Sequence, residues 1–431
     1  MKTIASQALI TIFLVSVGVF QSTQAVSPAP DGGYPGGNTA EGQAALFSLT
    51  TGGFNTAVGF FSLRSNTTGQ FNTAVGAGTL LANTGIQNTA SGAGALLSNT
   101  TGSINTANGA FALLSNTIGN GNTANGADSL FTNTTGNSNT ANGVDALKQN
   151  TSGSDNTATG RDALHENTMG SVNTANGYSA LFSNTIGIQN TAAGGIALFG
   201  NTTGTNNTAT GFQALMVNST GGFNTANGIN ALAHNTTGSS NTALGDSAGF
   251  SVTTANHVIC IGANVQGENV SNTCYIGNIF GVTSAEGASV FVNANGKLGT
   301  TTSSRRFKDD IRPMDQASEA ILAFEPVTFH YKKEIDPAGR SHFGLVAEDV
   351  EKVNPDLVVR DKEGKPYTVR YDQVNAMLLN EFLKEHRTVL ELKKEMAVLT
   401  ATVKEQAAQI QKVNAQLELS KPAPQTVLNR Q

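Results

Sequence analysis

The sequence predicts a mainly β protein, in which a β-solenoid of 17-residue repeats and a short β neck precede a small α/β domain that ends in a long coiled-coil helix. Three observations lead to this prediction. One motif recurs at a fixed spacing from Asn38 to Gly249, most of the 25 basic and 30 acidic side chains lie after residue 304, and the segment from Gln373 to about Leu419 contains neither Pro nor Gly. The chain therefore joins two differently built parts near residue 304.

The repeat reads roughly N-T-A-x-G-x-x-A-L-x-x-N-T-T-G-x-x, and its positions are numbered here from the opening Asn. That Asn stands 17 residues apart except for one interval of 16, at residues 38, 55, 72, 88, 105, 122, 139, 156, 173, 190, 207, 224 and 241. A fixed period indicates one structural unit stacked on itself. Two Gly per repeat, with Asn and Thr, disfavour helix. About 56 Å of extended chain is enough for one solenoid coil.

Specific residues have predicted places in this coil. Ala57 and Leu63, with their equivalents, are expected to point inward and fill a narrow core. Gly59 and Gly69 are expected at corners that need positive φ, and the Asn side chains are expected to form hydrogen-bonded ladders between coils. An alternative arrangement winds three chains together, each burying its Leu stripe against the others.

Three functions of the rod compete. A spacer or adhesive stalk needs only length and stability. Ice binding would use regularly spaced Thr hydroxyls, although adjacent Thr67 and Thr68 point to opposite sides of a strand. Carbohydrate binding is disfavoured by the few aromatic residues, which form 6% of the chain. Asn66 and its equivalents also match the glycosylation sequon, which carries no weight in a bacterial protein, the source that we favour.

The first 25 residues have a basic Lys2, an apolar run and a small residue, Ala25, at the end, which is typical of a secretory signal peptide. A single membrane anchor is the alternative, but no charge cluster follows the run. The protein is therefore expected to be secreted or at the cell surface. Export permits disulfides, so Cys260 and Cys274 either pair or are buried free thiols. The net charge of −5, without a long basic run, gives no indication of nucleic-acid binding.

The carboxy-terminal part alternates predicted helices and strands. DQASEAILAF is expected to be a helix capped by Asp315, PVTFHYKK a strand, LVAEDVEKV a helix, and PDLVVRDKEGKPYTVRYD a hairpin around Glu363-Gly364. In the long helix that follows, apolar residues are spaced by three and four, as in a coiled coil, with Gln406 as a polar seam position. These residues are Phe382, Val389, Leu392, Met396, Leu399, Val403, Ile410, Val413 and Leu417.

Four stretches in this part, SSRRFKDDI, LAFEPVTFHYKK, HFGLVAEDVEKVNPDLV and YDQVNAMLLNEFLKEH, together resemble the intramolecular chaperone domain of phage tail spikes and tail fibres, the peptidase S74 family. The resemblance implies a homotrimer in which the domain assists assembly of three β-rich chains and is then released by self-cleavage. It also implies a catalytic dyad of Ser303 and Lys308, because the family's serine stands five residues before its lysine. The family often has Asp after the serine; here Ser304 follows, which makes it the alternative nucleophile.

The dyad is chemically reasonable on its own. A serine hydroxyl becomes a good nucleophile when a base takes its proton, and a lysine is such a base when burial lowers its pKa. Without cleavage, Ser303 and Ser304 would be a polar linker, Lys308 a solvated charge, and the domain a permanent trimerisation cap. Arg305 and Arg306 would also attract an external trypsin-like protease.

No metal or cofactor is expected, because no Asp or Glu with ligand spacing accompanies His330 or His342, which are assigned exposed polar roles. Glu348 and Asp349 are assigned to a solvated helix face. The predicted domains are a signal peptide (1–25), a linker (26–37), a solenoid (38–250), a neck (251–302), an S74-like domain (303–392), a coiled coil (393–420) and a disordered tail (421–431). The expected protein is a secreted trimeric fibre or adhesin-like protein of unknown ligand.

Overall fold

The structure is a computed structural model that describes residues 34–282 and 287–420. The predicted signal peptide, most of the predicted linker and the predicted tail lie outside the described residues. The chain divides into two compact units, Met1–Thr283 and Ser284–Gln431.

The first unit is a β-solenoid with a single 15-stranded parallel sheet, which confirms the predicted fold class. Each strand is three residues long and pairs in register with the strands one coil before and after it, as Ala57 does with Ala40 and Ala74. The strands are β1 Thr39–Glu41, β2 Thr56–Val58, β3 Thr73–Val75, β4 Thr89–Ser91, β5 Thr106–Asn108, β6 Thr123–Asn125, β7 Thr140–Asn142, β8 Thr157–Thr159, β9 Thr174–Asn176, β10 Thr191–Ala193, β11 Thr208–Thr210, β12 Thr225–Asn227, β13 Thr242–Leu244, β14 Ile259–Ile261 and β15 Cys274–Ile276.

The core of the solenoid is the predicted stack of Ala and Leu. Ala57 and Leu63 are both completely buried, as are their equivalents in the following coils. Full burial of one leucine side chain contributes about 2 to 3 kcal/mol, repeated in each coil. Because these leucines pack inside their own chain, the Leu stripe does not face a neighbouring chain.

Two ladders of buried asparagines join the coils, as predicted. At position 1, the backbone N–H and the side-chain amide of Asn72 both donate to Oδ1 of Asn55, at 3.0 and 3.1 Å. At position 12, the amide of Asn116 donates to Oδ1 of Asn99 at 2.6 Å. These hydrogen bonds satisfy polar groups that are buried in the narrow core and cannot bond to water. The sequon residue Asn66 is also completely buried, so the folded coil leaves no room for a glycan on its side chain.

The two predicted glycine corners differ. Gly59 has φ +129°, as expected, and a Cβ there would lie 2.5 Å from the Gly76 carbonyl oxygen. The prediction of positive φ at Gly69 is wrong; glycine is needed there because a Cβ would lie 2.3 Å from Oδ1 of Asn66. Leu63 adopts φ +49°, a left-handed conformation that the sequence did not predict.

The second unit is a small α/β assembly followed by a long helix. Its antiparallel strand pairs are β16 with β17, β18 with β19 and β20 with β21. The elements are β16 Val290–Val292, β17 Leu298–Thr300, a 3₁₀ turn Arg305–Phe307, a 3₁₀ helix Asp315–Ala323, β18 Val327–His330, β19 Ser341–Gly344, α1 Ala347–Val353, a 3₁₀ turn Pro355–Leu357, β20 Val358–Arg360, β21 Pro366–Val369 and α2 Tyr371–Leu419.

Most predicted elements of this unit are present, with one correction. The helix predicted at residue 315 is a 3₁₀ helix, and Asp315 lies inside it with φ +44° instead of capping it. A small apolar core formed by α1, β20, β21 and the start of α2 holds the unit together, with Val350 and Met377 among its buried residues. The whole of α2 is 49 residues long, about 74 Å. Beyond the core it exposes every apolar residue of the predicted seam.

Candidate functional site

The predicted dyad lies on a single tight turn after β17. Ser304 is extended, with φ −64° and ψ 135°, and its carbonyl accepts the N–H of Phe307 at 3.1 Å. The N–H of Lys308 donates to the carbonyl of Arg305, also at 3.1 Å. The guanidinium of Arg306 lies 4.6 Å from the centre of the Phe307 ring. The chain therefore turns between Ser303 and Lys308.

The side chains of this turn are fully accessible in the single chain. Ser303, Ser304 and Lys308 are all exposed. In the described part of the second unit, no hydrogen bond joins the Lys308 amine to either serine hydroxyl; the backbone N–H of Ser304 donates to Oγ1 of Thr302 at 3.4 Å. The structure thus places the candidate residues on one turn but does not bring their reactive atoms together.

The comparison with known families identifies this region. Residues 303–359 match the model of the Peptidase S74 family, chaperone of endosialidase. This confirms the resemblance predicted from the sequence, and the matched S74 segment starts at Ser303 and continues through α1 to β20. No curated protein matches the chain.

A polar cluster that the sequence did not predict lies between the S74 segment and α2. Ser318, completely buried in the 3₁₀ helix, donates its hydroxyl to the carboxylate of Glu381 on α2. The amide of Asn380 donates to the same hydroxyl at 2.7 Å. The amine of Lys384 donates to Glu381 at 2.8 Å and to Glu319 at 3.2 Å. These hydrogen bonds hold the S74 segment against α2.

The cluster contains Ser, Lys and Glu, but it is not arranged for nucleophilic catalysis. Hydrogen bonding to Glu381 is the largest effect and raises the pKa of Lys384 above its ordinary value. Desolvation opposes this rise, and hydrogen bonding to Glu319 adds to it. A protonated amine cannot take a proton from a hydroxyl, and Ser318 is closed to a substrate. We therefore assign the cluster a structural role.

His342 differs from its predicted exposed role, whereas His330 is exposed as predicted. The His342 ring packs against Tyr331, with centroids 5.0 Å apart, and Nε2 lies 3.6 Å from Oδ2 of Asp336. Backbone N–H groups of Arg340 and Ala338 lower the pKa of Asp336, with a further contribution from His342. These contacts fix the β18–β19 connection. Asp349 is exposed and paired with Lys352, as expected of a solvated face.

The two cysteines are both free thiols on opposite faces of the sheet. Cys260 pairs in register with Tyr275 and is buried, whereas Cys274 pairs with Ile259 and is exposed. They are therefore one residue out of register, and side chains on opposite faces cannot meet in a disulfide without a slip of the strand. Of the two alternatives, free thiols are present, but only Cys260 is buried; Cys274 is exposed.

In residues 34–282 and 287–420, no group of three or more His, Cys, Asp or Glu side chains is placed to hold a metal ion. Among the helices that the structure describes, none is long and apolar enough to cross a membrane.

Proposed function

We propose that this protein is a secreted homotrimeric fibre, and that its S74 segment is an intramolecular chaperone that cuts the chain beside Ser303 after assembly. The family match carries this proposal, because it begins at Ser303, on the carboxy-terminal side of the solenoid and of the β16–β17 hairpin. The solenoid is the β-rich part of the chain that such a chaperone would assemble. The exposed apolar seam of α2 supplies a surface for self-association.

The proposed cleavage needs only groups of the turn and water. Lys308 takes the proton of the Ser303 hydroxyl, and the oxygen attacks the carbonyl carbon of Thr302. The C–N bond breaks, the amine of Ser303 accepts a proton, and an ester joins Thr302 to Oγ of Ser303. Water then hydrolyses the ester, which leaves a carboxyl group on Thr302. Since nucleophile and peptide bond are adjacent, proximity replaces substrate binding.

Assembly is proposed to switch this chemistry on. In the single chain Lys308 is exposed, whereas a lysine acts as a base when burial favours its neutral form. Contact with neighbouring copies would bury this turn and favour the neutral amine. Cleavage would then follow correct trimer formation and would not precede it.

The experiment is the intact mass of the full chain without residues 1–25, measured beside the Lys308→Ala variant, with light scattering of both. Trimers in which the wild type splits at Ser303 or Ser304 and the variant stays whole are expected. Whole chains in both would replace self-cleavage with the alternative function, a rod with a permanent trimerisation cap. A monomer would contradict both functions.

A second candidate function, ice binding, is favoured by the outer face of the sheet. Position 2 is Thr in all of β1 to β13, so hydroxyls repeat about every 4.8 Å along a flat face. Within residues 34–282 these hydroxyls have no hydrogen-bond partner. Hydroxyls at position 13, in contrast, donate to backbone carbonyls of the next coil; Thr117, for example, donates to the carbonyl of Thr134 at 3.0 Å. The test is thermal hysteresis of the wild type, of Thr123→Lys on the strand face and of the control Thr135→Lys on another face. Hysteresis that is lost only in Thr123→Lys would support ice binding. Absence of hysteresis in the wild type would rule out this function.

A further inference from the structure

The amino-terminal end of the solenoid core is open in the part of the chain that the structure describes. In the second coil Ala57 and Leu63 are completely buried, whereas their equivalents in the first coil are less covered: Ala40 is half-buried and Leu46 is 7% exposed. Leu49 stands at position 12, where later coils have a buried Asn. The three first-coil side chains line a cavity of about 340 Å³, called here the end cavity. The first coil thus presents an apolar surface that each later coil covers with its predecessor.

Residues 34–37 replace part of a preceding coil. In the second coil, the backbone N–H and the side-chain amide of Asn55 both donate to Oδ1 of Asn38, at 2.8 and 3.0 Å. In the first coil, the N–H of Asn38 donates instead to the carbonyl of Tyr34 at 3.3 Å. Its side-chain amide donates to the carbonyl of Pro35 at 2.7 Å. The chain before the first coil therefore caps the position 1 ladder with its own backbone.

This cap covers only part of the end. In the second coil, the N–H of Phe61 and the carbonyl of Ser62 both bond to the first coil. The equivalent groups of the first coil are the N–H of Ala44 and the carbonyl of Ala45, and neither has a partner within residues 34–282. Unpaired backbone groups beside an apolar cavity need a cover, because they are otherwise a template for pairing with another chain.

We propose that residues 26–33, which follow the predicted signal peptide, fold over this end and close the end cavity. The chain enters at the cavity, since Tyr34 and Pro35 are part of its lining. Tyr34 also pairs antiparallel with Asn38, so the residues before it continue along the free edge of β1. Eight extended residues span about 26 Å, close to half of the extended length of one coil. The segment is therefore long enough to cross the end once.

The composition of the segment, VSPAPDGG, suits this place. Val26 and Ala29 supply apolar side chains for the cavity, and Gly32-Gly33 permits a turn before Tyr34. Pro28 and Pro30 have no N–H, so the outer edge of the cap offers few donors to a further chain, as in protected edge strands. A second copy is the weaker occupant, because the coil end that would complement this one, after β15, is followed by the β16–β17 hairpin in every chain.

Two cysteine pairs test the inference in the full chain without residues 1–25 and with Cys274→Ser; Cys260 is buried. A short bis-maleimide is expected to join Ala29→Cys to Leu49→Cys within one chain, because Leu49 lines the end cavity. The matched control joins Ala29→Cys with Ile104→Cys, an exposed position three coils further along the rod, and should stay unlinked. The mass after denaturation distinguishes links within a chain from links between chains. A link between chains would assign the cavity to a second copy, and no link, or equal links in both pairs, would overturn the inference.

Hydrogen exchange gives a second measurement that needs no cysteine. Deletion of residues 26–33 is expected to speed exchange of the amides in residues 38–54 about tenfold, and to leave residues 122–138, in the middle of the rod, unchanged. Replacement of residues 26–33 by eight Gly and Ser residues should act like the deletion, since it keeps the length but removes the apolar side chains and both Pro. Equal exchange in all three chains would contradict the cap. Neither measurement depends on trimer formation or on cleavage, so the cap and the proposed function can fail separately.

Discussion

The amide of Asn99 donates to Oδ1 of Asn83 at 2.6 Å, but the same bond from Asn83 to Asn66 is absent. Oδ1 of Asn66 is buried and has no hydrogen-bond partner in the described chain. The break lies at the coil that starts at Asn72 and has 16 residues, because the corner Asn83-Thr84-Gly85 lacks one Thr. We infer that the shorter corner moves Asn83 out of line with Asn66.

Restoring the missing residue should repair the ladder. Insertion of one Thr between Thr84 and Gly85 is expected to raise the melting temperature by a few degrees, because an unsatisfied buried oxygen costs about 1 to 3 kcal/mol. The matched control is the same insertion between Thr101 and Gly102, which gives a regular coil an eighteenth residue and should destabilise it. If both insertions lower the melting temperature, the short coil does not destabilise the solenoid by breaking the ladder.

The features that repeat could be predicted from the sequence, since they follow from period and residue size. Leu63 and Ala57 were expected to point inward because Leu at position 9 and Ala at position 3 recur in nearly every coil; Ala at position 8 recurs too, and it is also buried in most coils. The Asn ladders followed from identical side chains stacked at strand spacing. The proposed catalytic residues, Ser303 and Lys308, came from the family resemblance, and both side chains are exposed in the single chain.

What could not be predicted depends on distant contacts or on backbone geometry. Ser318 and Glu381 are 63 residues apart, so no local pattern links them. The left-handed conformation of Leu63 contradicts its local preference and is imposed by packing. The cysteine offset did leave a signal, because Cys260 stands two residues before a Gly and Cys274 three residues before one.

Ser303 and Ser304 can be distinguished as nucleophiles. Ser303→Ala is expected to leave the chain whole, while Ser304→Ala is cut, because the proposed attack uses the hydroxyl five residues before Lys308. Mass spectrometry of the new amino terminus provides the measurement. The double change Arg305→Ala with Arg306→Ala is the control for an external protease and should still be cut. Cleavage of the Ser303→Ala chain with loss of cleavage in Ser304→Ala would assign the role to Ser304.

The polar cluster should make the second unit sensitive to acid. Hydrogen bonds from Lys384, and then from Ser318, lower the pKa of Glu381 below its ordinary value of 4.5. A carboxylate with a lowered folded pKa contributes stability above its unfolded pKa and loses it as the pH falls through the folded value. The melting temperature, followed by helical circular dichroism, should therefore fall below pH 4.5 in the wild type and fall less in Glu381→Gln. Glu391→Gln, an exposed carboxylate on the same helix, should behave as the wild type; an unchanged slope in Glu381→Gln would contradict the assignment.

Gln406 should limit the stability of the assembled helices. It occupies a seam position between Val403 and Ile410, and a polar residue in a coiled-coil seam fixes register or chain number at a cost in stability. Gln406→Leu is therefore expected to raise the melting temperature of the trimer and to allow other oligomers, measured by calorimetry and light scattering. Gln411→Leu makes the same substitution one position after Ile410, off the seam, and should change neither. An effect of equal size in both variants would mean that α2 does not associate through this seam, and would leave trimer formation to the solenoid and the S74 segment.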